Sequence, residues 1–427
     1  MKIIIKLFGI IALVGVIGFS MAACDNGIGG SIDESVLNQI RYVAENPAKG
    51  FNYGYYYYIP GSIRKASKKF LLIEPNNTGG FSNYDMDDVQ THSQAAQSML
   101  NYAKRYADEL GCVLLVPIIP RPYSTPTNTI EPQVLNRIAM QTTTGIPARV
   151  DLQLIKMIDD MKVLCGSFGI SLQPKIMIDG FSAGGVFGNR FTALHPELVQ
   201  AVASGGINYK PILPITTMEG ERLIYPVGIA DLEEIAGTPF NFAEYVKVPQ
   251  FIYVGADDTN PGPFDNDEER RLTAKVFGSN SQERWETAIH VYEEQGCSAV
   301  TYNMYPGVGH EITNQIQNDI LEFLGRTIGV TVTTTIQPTK FEGEWYSRNP
   351  NNPINIFNRF TFTGNNFLYQ AIENGQIRIS RPGTFTFTAT QITLIPAQAN
   401  TWQGYTQGYS LSGNQLNLTT DGAFIKE

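Results

Sequence analysis

Cysteine is scarce in this chain, with four among 427 residues. One of them, Cys24, closes an N-terminal leader, which leaves Cys112, Cys165 and Cys297 for the body of the protein. Three thiols can form one disulfide at most, so a disulfide-stapled scaffold is excluded. None stands in a CxxC or Cys/His spacing, so nothing suggests zinc. Cys112 leads the apolar run 113–116 and Cys165 ends a helical apolar stripe; both are expected as small buried hydrophobes. Positive charge is also short: 31 basic against 40 acidic residues give a net charge of −9, and the basic residues form no cluster. That argues against nucleic acid as a partner. Long apolar runs are missing outside the N-terminus, which excludes a polytopic membrane protein. With 43% hydrophobic and 17% charged residues the composition is that of ordinary globular chains, neither disordered nor collagen-like.

The exceptional run is residues 7–19, thirteen apolar or glycine residues behind Lys2 and Lys6. It falls short of the roughly 20 residues a membrane span needs but suits the apolar region of a signal peptide. Met21-Ala22-Ala23-Cys24 follows. Small residues before a cysteine resemble a bacterial lipobox, and the resemblance implies cleavage before Cys24 and acylation of its thiol and amine. The alternative is an ordinary signal peptide cut after Ala23. Removing residues 1–23 leaves 29 basic against 40 acidic residues, a net charge of −11. The expected location is the cell envelope, periplasmic or outer surface, with the membrane reached through the anchor.

At about 150 residues per domain the length suggests two or three units. Residues 24–35 read as a short tether. Ser31 and Glu34 have capping-box spacing ahead of Val36, Leu37, Ile40 and Val43, so an amphipathic helix is expected there. From there to residue 328 apolar strands alternate with helices. Strands are expected at 70–73, 113–117, 176–178, 201–203, 251–254 and 301–304. Helices are expected around Ala96 to Tyr106, Leu154 to Met161, Phe187 to Leu194 and Ile312 to Leu324. Buried strands separated by helices predict an α/β fold, a mostly parallel sheet covered on both faces. Residues 206–248 break the rhythm with several prolines and read as an insertion over the C-terminal edge of the sheet, a candidate cap. Residues 329–340, rich in threonine, read as a linker, with a first strand over 330–338 as the alternative. Residues 341–427 alternate with period two, as in Thr384-Phe385-Thr386-Phe387, and carry turn signals at Gly364-Asn365, Asn374-Gly375 and Gly413-Asn414. They predict a small antiparallel all-β domain.

The strand at 176–178 runs into Asp179-Gly180-Phe181-Ser182-Ala183-Gly184-Gly185, and a helix follows. This is a Gly-x-Ser-x-Gly nucleophile elbow in its proper strand-turn-helix context. A serine hydroxyl near neutral pH needs a base, and the base needs an orienting carboxylate. With only four histidines the search is short. His310 lies between the last strand and the last helix, where the base belongs. His195 ends the post-elbow helix and is expected to point away from Ser182. His290 sits within the helix 285–294, and His92 opens the helix after the first loop, where it could line a pocket mouth. The acid should follow the strand 251–254; Asp258 is chosen over Asp257 by its spacing from Gly255. The oxyanion donors are expected to be the N–H of Ala183 and one from the loop 74–80, where Pro75 has no N–H to give; Asn77 is the first candidate and Thr78 the next.

Ser182, Asp258, His310 and the strand–helix rhythm resemble the α/β-hydrolase superfamily, secreted esterase and depolymerase-like members in particular. Phe191-Thr192-Ala193-Leu194-His195-Pro196-Glu197-Leu198-Val199 is similar to the stretch after the nucleophile in such enzymes. The resemblance covers about residues 50–328 and implies ester hydrolysis through an acyl-serine, with no cofactor and no metal, on a small-molecule or polymeric ester. Phe341-Glu342-Gly343-Glu344-Trp345-Tyr346 resembles the lipocalin-like β modules appended to some bacterial lipoproteins.

Other readings compete. A peptidase could use the same scaffold. An inactive hydrolase-fold lipoprotein could act as a binding module, with Tyr53, Tyr55, Tyr56, Tyr57 and Tyr58 stacking on sugar or polymer; strand packing is the commoner use of such aromatics. Asp265, Asp267, Glu268 and Glu269 read as a solvated acidic turn, with a calcium site as the alternative.

Overall fold

A computed structural model describes residues 32–332, apart from 77–88, 122–129, 208–209, 261–265, 279 and 306, and most of 343–426, where the strands are described. The leader, Cys24, Asn77 and Thr78, and the three turn dipeptides of the C-terminal region lie outside the described residues.

The chain opens with β1 (Ile40–Val43), β2 (Tyr55–Tyr58), β3 (Leu71–Ile73), α1 (Val89–Leu110) and β4 (Val113–Pro117). There follow α2 (Arg137–Gln141), α3 (Val150–Ser167), β5 (Ile176–Phe181), α4 (Ala183–Leu194) and β6 (Val199–Gly205). After a two-stranded ribbon, β7 (Thr217–Met218) and β8 (Glu221–Arg222), come α5 (Leu232–Ala236), α6 (Phe242–Tyr245) and β9 (Gln250–Gly255). The run ends with α7 (Asp267–Val276), α8 (Ser281–Glu294), β10 (Val300–Tyr305) and α9 (Asn314–Ile328).

The main sheet has eight strands in the order β1-β2-β4-β3-β5-β6-β9-β10. The two pairings that involve β2 are antiparallel and the others are parallel. This is the α/β-hydrolase fold. Its two faces are covered differently. Ile178 and Val202 approach Gly188 of α4 on one face, whereas Phe251 packs its ring 5.5 Å from Phe323 of α9 on the other. The chain leaves β3 toward β4 and returns past β3 to β5, so the order reverses between β3 and β5. Ligands of open α/β sheets bind in the crevice at the strand C-termini beside such a switch point.

Two expectations are corrected. Residues 32–43 form no amphipathic helix: a 3-10 turn at Glu34–Val36 is capped by Asp33, and Ile40–Val43 is an edge strand paired with Tyr55–Tyr58. Val36 and Leu37 are buried by this packing, and the β-branched and aromatic Ile40, Tyr42 and Val43 favour a pleated edge. The acidic run is no solvated turn from Asp267 onward. Asn266 accepts from the Glu269 N–H and caps α7, whose first turn holds Asp267, Glu268 and Glu269, where the helix dipole favours negative charge. The tyrosines serve as strand packing: Tyr53, Tyr55, Tyr57 and Tyr58 are buried. Cys112, Cys165 and Cys297 are free thiols and buried.

The described residues of the 206–248 segment are tied to α4 and to the stretch around the start of α2. Tyr225 Oη donates to the Leu135 carbonyl (2.5 Å), Arg137 pairs with buried Asp231 (2.6 Å), and Ile212 N–H donates to Asn189 Oδ1 (2.9 Å). The C-terminal strands are β11 (Gly343–Tyr346), β12 (Ile356–Thr363), β13 (Asn366–Glu373), β14 (Gln376–Phe387), β15 (Gln391–Pro396), β16 (Tyr405–Ser412), β17 (Gln415–Leu418) and β18 (Gly422–Lys426), and they close into an antiparallel barrel. Thr363 pairs with Asn366, Glu373 with Gln376 and Ser412 with Gln415, so the strands on either side of each turn dipeptide are in hairpin register. Trp345, Phe360 and Phe367 are buried there. Among the described residues no helix is long and apolar enough to cross a membrane.

Candidate active site

Ser182 stands where β5 gives way to α4, at φ 57° and ψ −121°. A non-glycine residue held at positive φ costs on the order of 1–3 kcal/mol and persists only where its surroundings fix it. Here the Ser182 N–H donates to the Gly205 carbonyl of β6 (2.9 Å), and its own carbonyl accepts from Val186 N–H (2.9 Å), the first turn of α4. The turn is tight enough that a Cβ on Gly180 would overlap the Gly184 carbonyl, and one on Gly185 would overlap the Gly205 carbonyl. The second of these glycines lies outside the Gly-x-Ser-x-Gly pattern.

Asp258 follows β9. Its N–H donates to the Gly255 carbonyl (3.2 Å), and its Oδ1 accepts from Asn260 N–H (2.9 Å). The segment that carries His310 crosses directly over the end of this strand: Asp257 N–H donates to the Val308 carbonyl (2.9 Å), and Gly255 has no room for a Cβ beneath Val308 and Gly309. His310 Nδ1–H therefore reaches Asp258 Oδ2 at 2.8 Å, and the Ser182 hydroxyl donates to Nε2 at 2.9 Å. The tautomer follows from the partners, because an ionised carboxylate can only accept and so Nδ1 carries the proton. The Asp258 side chain is 1% exposed and that of His310 25%, so the carboxylate is shielded while the imidazole reaches solvent in part. Asp257 is exposed and does not contact the imidazole through any described bond. Phe181 lies 4.7 Å from the His310 ring, centroid to centroid, and braces it from the β5 side.

The structure thus brings Ser182, His310 and Asp258 together from three separate strand ends. Ala183, the first residue of α4, heads the helix with an N–H that has no intrahelical acceptor. Asn77 lies outside the described residues, but the segment leading to it is held at the site. Glu74 N–H donates to the Leu115 carbonyl (3.1 Å), Asn76 Nδ2 donates to the carbonyls of His92 and Ile119 (both 3.3 Å), and the Pro75 carbonyl would lie 3.1 Å from a Cβ on Gly184. His195 is elsewhere: its Nε2 bonds buried Asp151 at 2.9 Å. His290 is exposed on α8 and pairs with Glu294 at 3.1 Å. His92 is buried in α1. Among the described residues no three His, Cys, Asp or Glu side chains converge as metal ligands would.

Sequence reasoning passed over Glu74 and Asp179. Both are 1% exposed, and burial pushes both carboxyls above the usual carboxylate range. The signal was present, since each is an acid at the end of an apolar strand, after Leu71-Leu72-Ile73 and Ile176-Met177-Ile178.

Neither a family model nor a curated protein matches the sequence. Solved structures do match. Poly(aspartic acid) hydrolase-1 from Sphingomonas sp. KT-1 is 18% identical over 60% of this chain and 88% of its own, with a TM-score of 0.41. A poly(3-hydroxybutyrate) depolymerase from Bordetella parapertussis is 14% identical over 67% of this chain and 88% of its own, with a TM-score of 0.43. An S-formylglutathione hydrolase from Agrobacterium tumefaciens is 15% identical over 65% and 89%, with a TM-score of 0.37. Similarity at this level assigns no substrate to this chain.

Proposed function

We propose that the protein is a serine hydrolase that cleaves carboxylic esters through an acyl-serine intermediate, with Ser182 as nucleophile, His310 as base and Asp258 as the orienting carboxylate. The observation that carries the reading is the coincidence of a positive φ at Ser182 with a hydroxyl 2.9 Å from an imidazole whose other nitrogen is 2.8 Å from a buried carboxylate. Proton transfer needs that reach and that tautomer together.

His310 Nε2 takes the hydroxyl proton as Ser182 Oγ attacks the ester carbonyl carbon, and the π electrons move onto oxygen. The oxyanion accepts hydrogen bonds from the Ala183 N–H and from a second donor, which we assign to Asn77, with Thr78 next. His310 returns the proton to the leaving alcohol, and the acyl-serine forms. Water then attacks the acyl carbon, gives its proton to His310, and the acid leaves as Ser182 recovers its proton. Asp258 remains ionised and stabilises the imidazolium. Each oxyanion donor is worth about 3 kcal/mol in such a step.

We also assign the chain to the cell envelope, anchored through Cys24 after cleavage behind Ala23. The motif Met21-Ala22-Ala23-Cys24 behind a short apolar run supports this. Cys24→Ser should abolish incorporation of a clickable palmitate and release the protein from the membrane fraction.

The activity is tested with a fluorophosphonate probe and an ester panel. Folded mature protein should label, and Ser182→Ala should remove the label. p-Nitrophenyl esters of graded acyl length should turn over faster than aminoacyl p-nitroanilides. A folded protein that does not label overturns the reading in favour of a binding module, and preferred turnover of the anilides would make it a peptidase.

A further inference from the structure

The main sheet places two carboxyls side by side in its interior, next to the nucleophile. Ile73 of β3 pairs with Ile178 of β5 in parallel register. One residue further along each strand stand Glu74 and Asp179, which therefore project from the same face of the sheet. Both are 1% exposed, and the shared register sets the two carboxyls against each other, with Glu74 Oε2 and Asp179 Oδ1 buried without another partner. Two carboxylates cannot accept from one another, so such a contact requires a shared proton. We take Glu74 as the proton holder and Asp179 as the acceptor, since the neighbouring Asp179 charge adds to burial in raising Glu74.

The neighbours explain why the pair keeps its one shared proton. The groups that face it are phenols: Tyr102 and Tyr106 of α1, whose hydroxyls bond each other at 2.9 Å, and Tyr253 of β9. Beyond Tyr253 lies Tyr305 of β10, bonded to Asp319 of α9 at 2.7 Å. Burial holds all three facing phenols neutral well above their ordinary range, and no cation acts on either carboxyl among the described residues. Burial, and for Glu74 the adjacent negative charge of Asp179, raise both carboxyls.

The location gives the pair a task. Glu74 begins the segment that presses the Pro75 carbonyl against Gly184, two residues from Ser182, and Asn76 ties the other end of that segment to His92 and Ile119. Asp179 is three residues before Ser182 on the strand that presents it. We propose that Glu74 and Asp179 are positioning residues, a carboxyl–carboxylate clamp that joins the start of the segment after β3 to the nucleophile strand and holds the backbone of residues 74–76 in register with Ser182. A device of this kind releases when its proton is lost, because two buried negative charges then repel across the joint.

The structural arm of the test does not depend on the hydrolase reading, whereas the kinetic arm rests on it. Infrared spectra of the folded protein at neutral pH should contain the carbonyl stretch of a buried protonated carboxyl, and Glu74→Gln should remove it. Amide hydrogen exchange in peptides covering residues 70–76 and 183–188 should accelerate about tenfold or more in Glu74→Ala and much less in Glu74→Gln, which keeps a hydrogen bond to Asp179. Failure of the band to appear, or exchange that rises evenly over the whole sheet, overturns the clamp. On p-nitrophenyl acetate, Glu74→Ala should lower kcat by about ten- to a hundredfold with KM within about twofold. Glu74→Gln should recover at least about tenfold of that loss and flatten the alkaline fall of kcat. A Glu74→Ala protein with unchanged kcat overturns the positioning role even if its melting temperature falls. Should wild-type protein neither label nor turn over esters, the hydrolase reading fails, and the infrared and exchange results still decide the clamp.

Discussion

Among the described residues are two histidine–aspartate pairs of nearly equal geometry, and they do different work. His310 bonds Asp258 at 2.8 Å and His195 bonds Asp151 at 2.9 Å. Both carboxylates are buried, and an aromatic ring flanks each imidazole, Phe181 at 4.7 Å and Phe191 at 4.9 Å. The difference lies in what else each pair touches. The second nitrogen of His310 is offered to a strained serine at an open edge. Beside His195 the aspartate is already held by Arg149, whose Nε and Nη2 donate to its two oxygens at 2.9 and 2.8 Å. A guanidinium neutralises the carboxylate permanently, so that pair ties the end of α4 to the start of α3 and has no nucleophile to serve. A His–Asp contact by itself therefore assigns no function; the third partner does.

The largest expected effects would break the comparison if they fell on the wrong pair. Ser182→Ala and His310→Ala should each lower kcat on p-nitrophenyl esters by about 10⁴-fold or more. His195→Ala, in protein that remains folded, should leave kcat within about threefold of wild type. Comparable losses at both histidines, measured on folded protein, would put the wrong pair in the site. Next comes the acid. Asp258→Asn should cost about 10⁴ in kcat through the wrong imidazole tautomer, while Asp257→Asn, at an exposed neighbour, should stay within about twofold. A reversal of those two results would move the orienting carboxylate by one residue.

The parts of this design that were legible in the sequence are those that short-range chemistry enforces. The elbow required glycines around Ser182, only four histidines competed for the base, and chain order placed the acid before His310. The helices around Ala96, Leu154 and Ile316 were visible because their apolar spacing admits one burial solution. The opening segment was not, because Val36, Leu37, Ile40 and Val43 fit a helical stripe as well as they fit an edge strand. The choice was made by Tyr55–Tyr58, which offers Ile40–Val43 a pairing partner. The start of α7 was written locally, as Asn266 three residues before Glu269, but the surrounding acids masked it. The Glu74–Asp179 contact lay beyond any local signal. It exists only because β3 and β5, about a hundred residues apart, are neighbours in the sheet, and strand order is a tertiary outcome.

The structural pair supplies the smallest but best-defined prediction. Burial alone would push the Asp151 carboxyl up, yet the hydrogen bonds from His195 and Arg149 outweigh it and hold the group below its ordinary value. A carboxylate depressed in the folded state stabilises the protein above its unfolded value of about 3.9, and that contribution disappears as pH falls through the folded value. Asp151→Asn leaves the half-buried Arg149 against a neutral amide, and loss of one member of a buried ion pair typically costs about 3–5 kcal/mol. The cost here should lie toward the lower figure, because Arg149 keeps its bond to the Ala236 carbonyl at 3.2 Å. Urea unfolding at pH 7 should therefore show about 3 kcal/mol less stability for Asp151→Asn. Below about pH 4 the two unfolding curves should approach one another, since acid removes from the wild type the charge that the variant already lacks. Curves that stay parallel down to pH 2 would mean that Asp151 acts by shape and not by charge, and the contrast between the two pairs would then rest on solvent access alone.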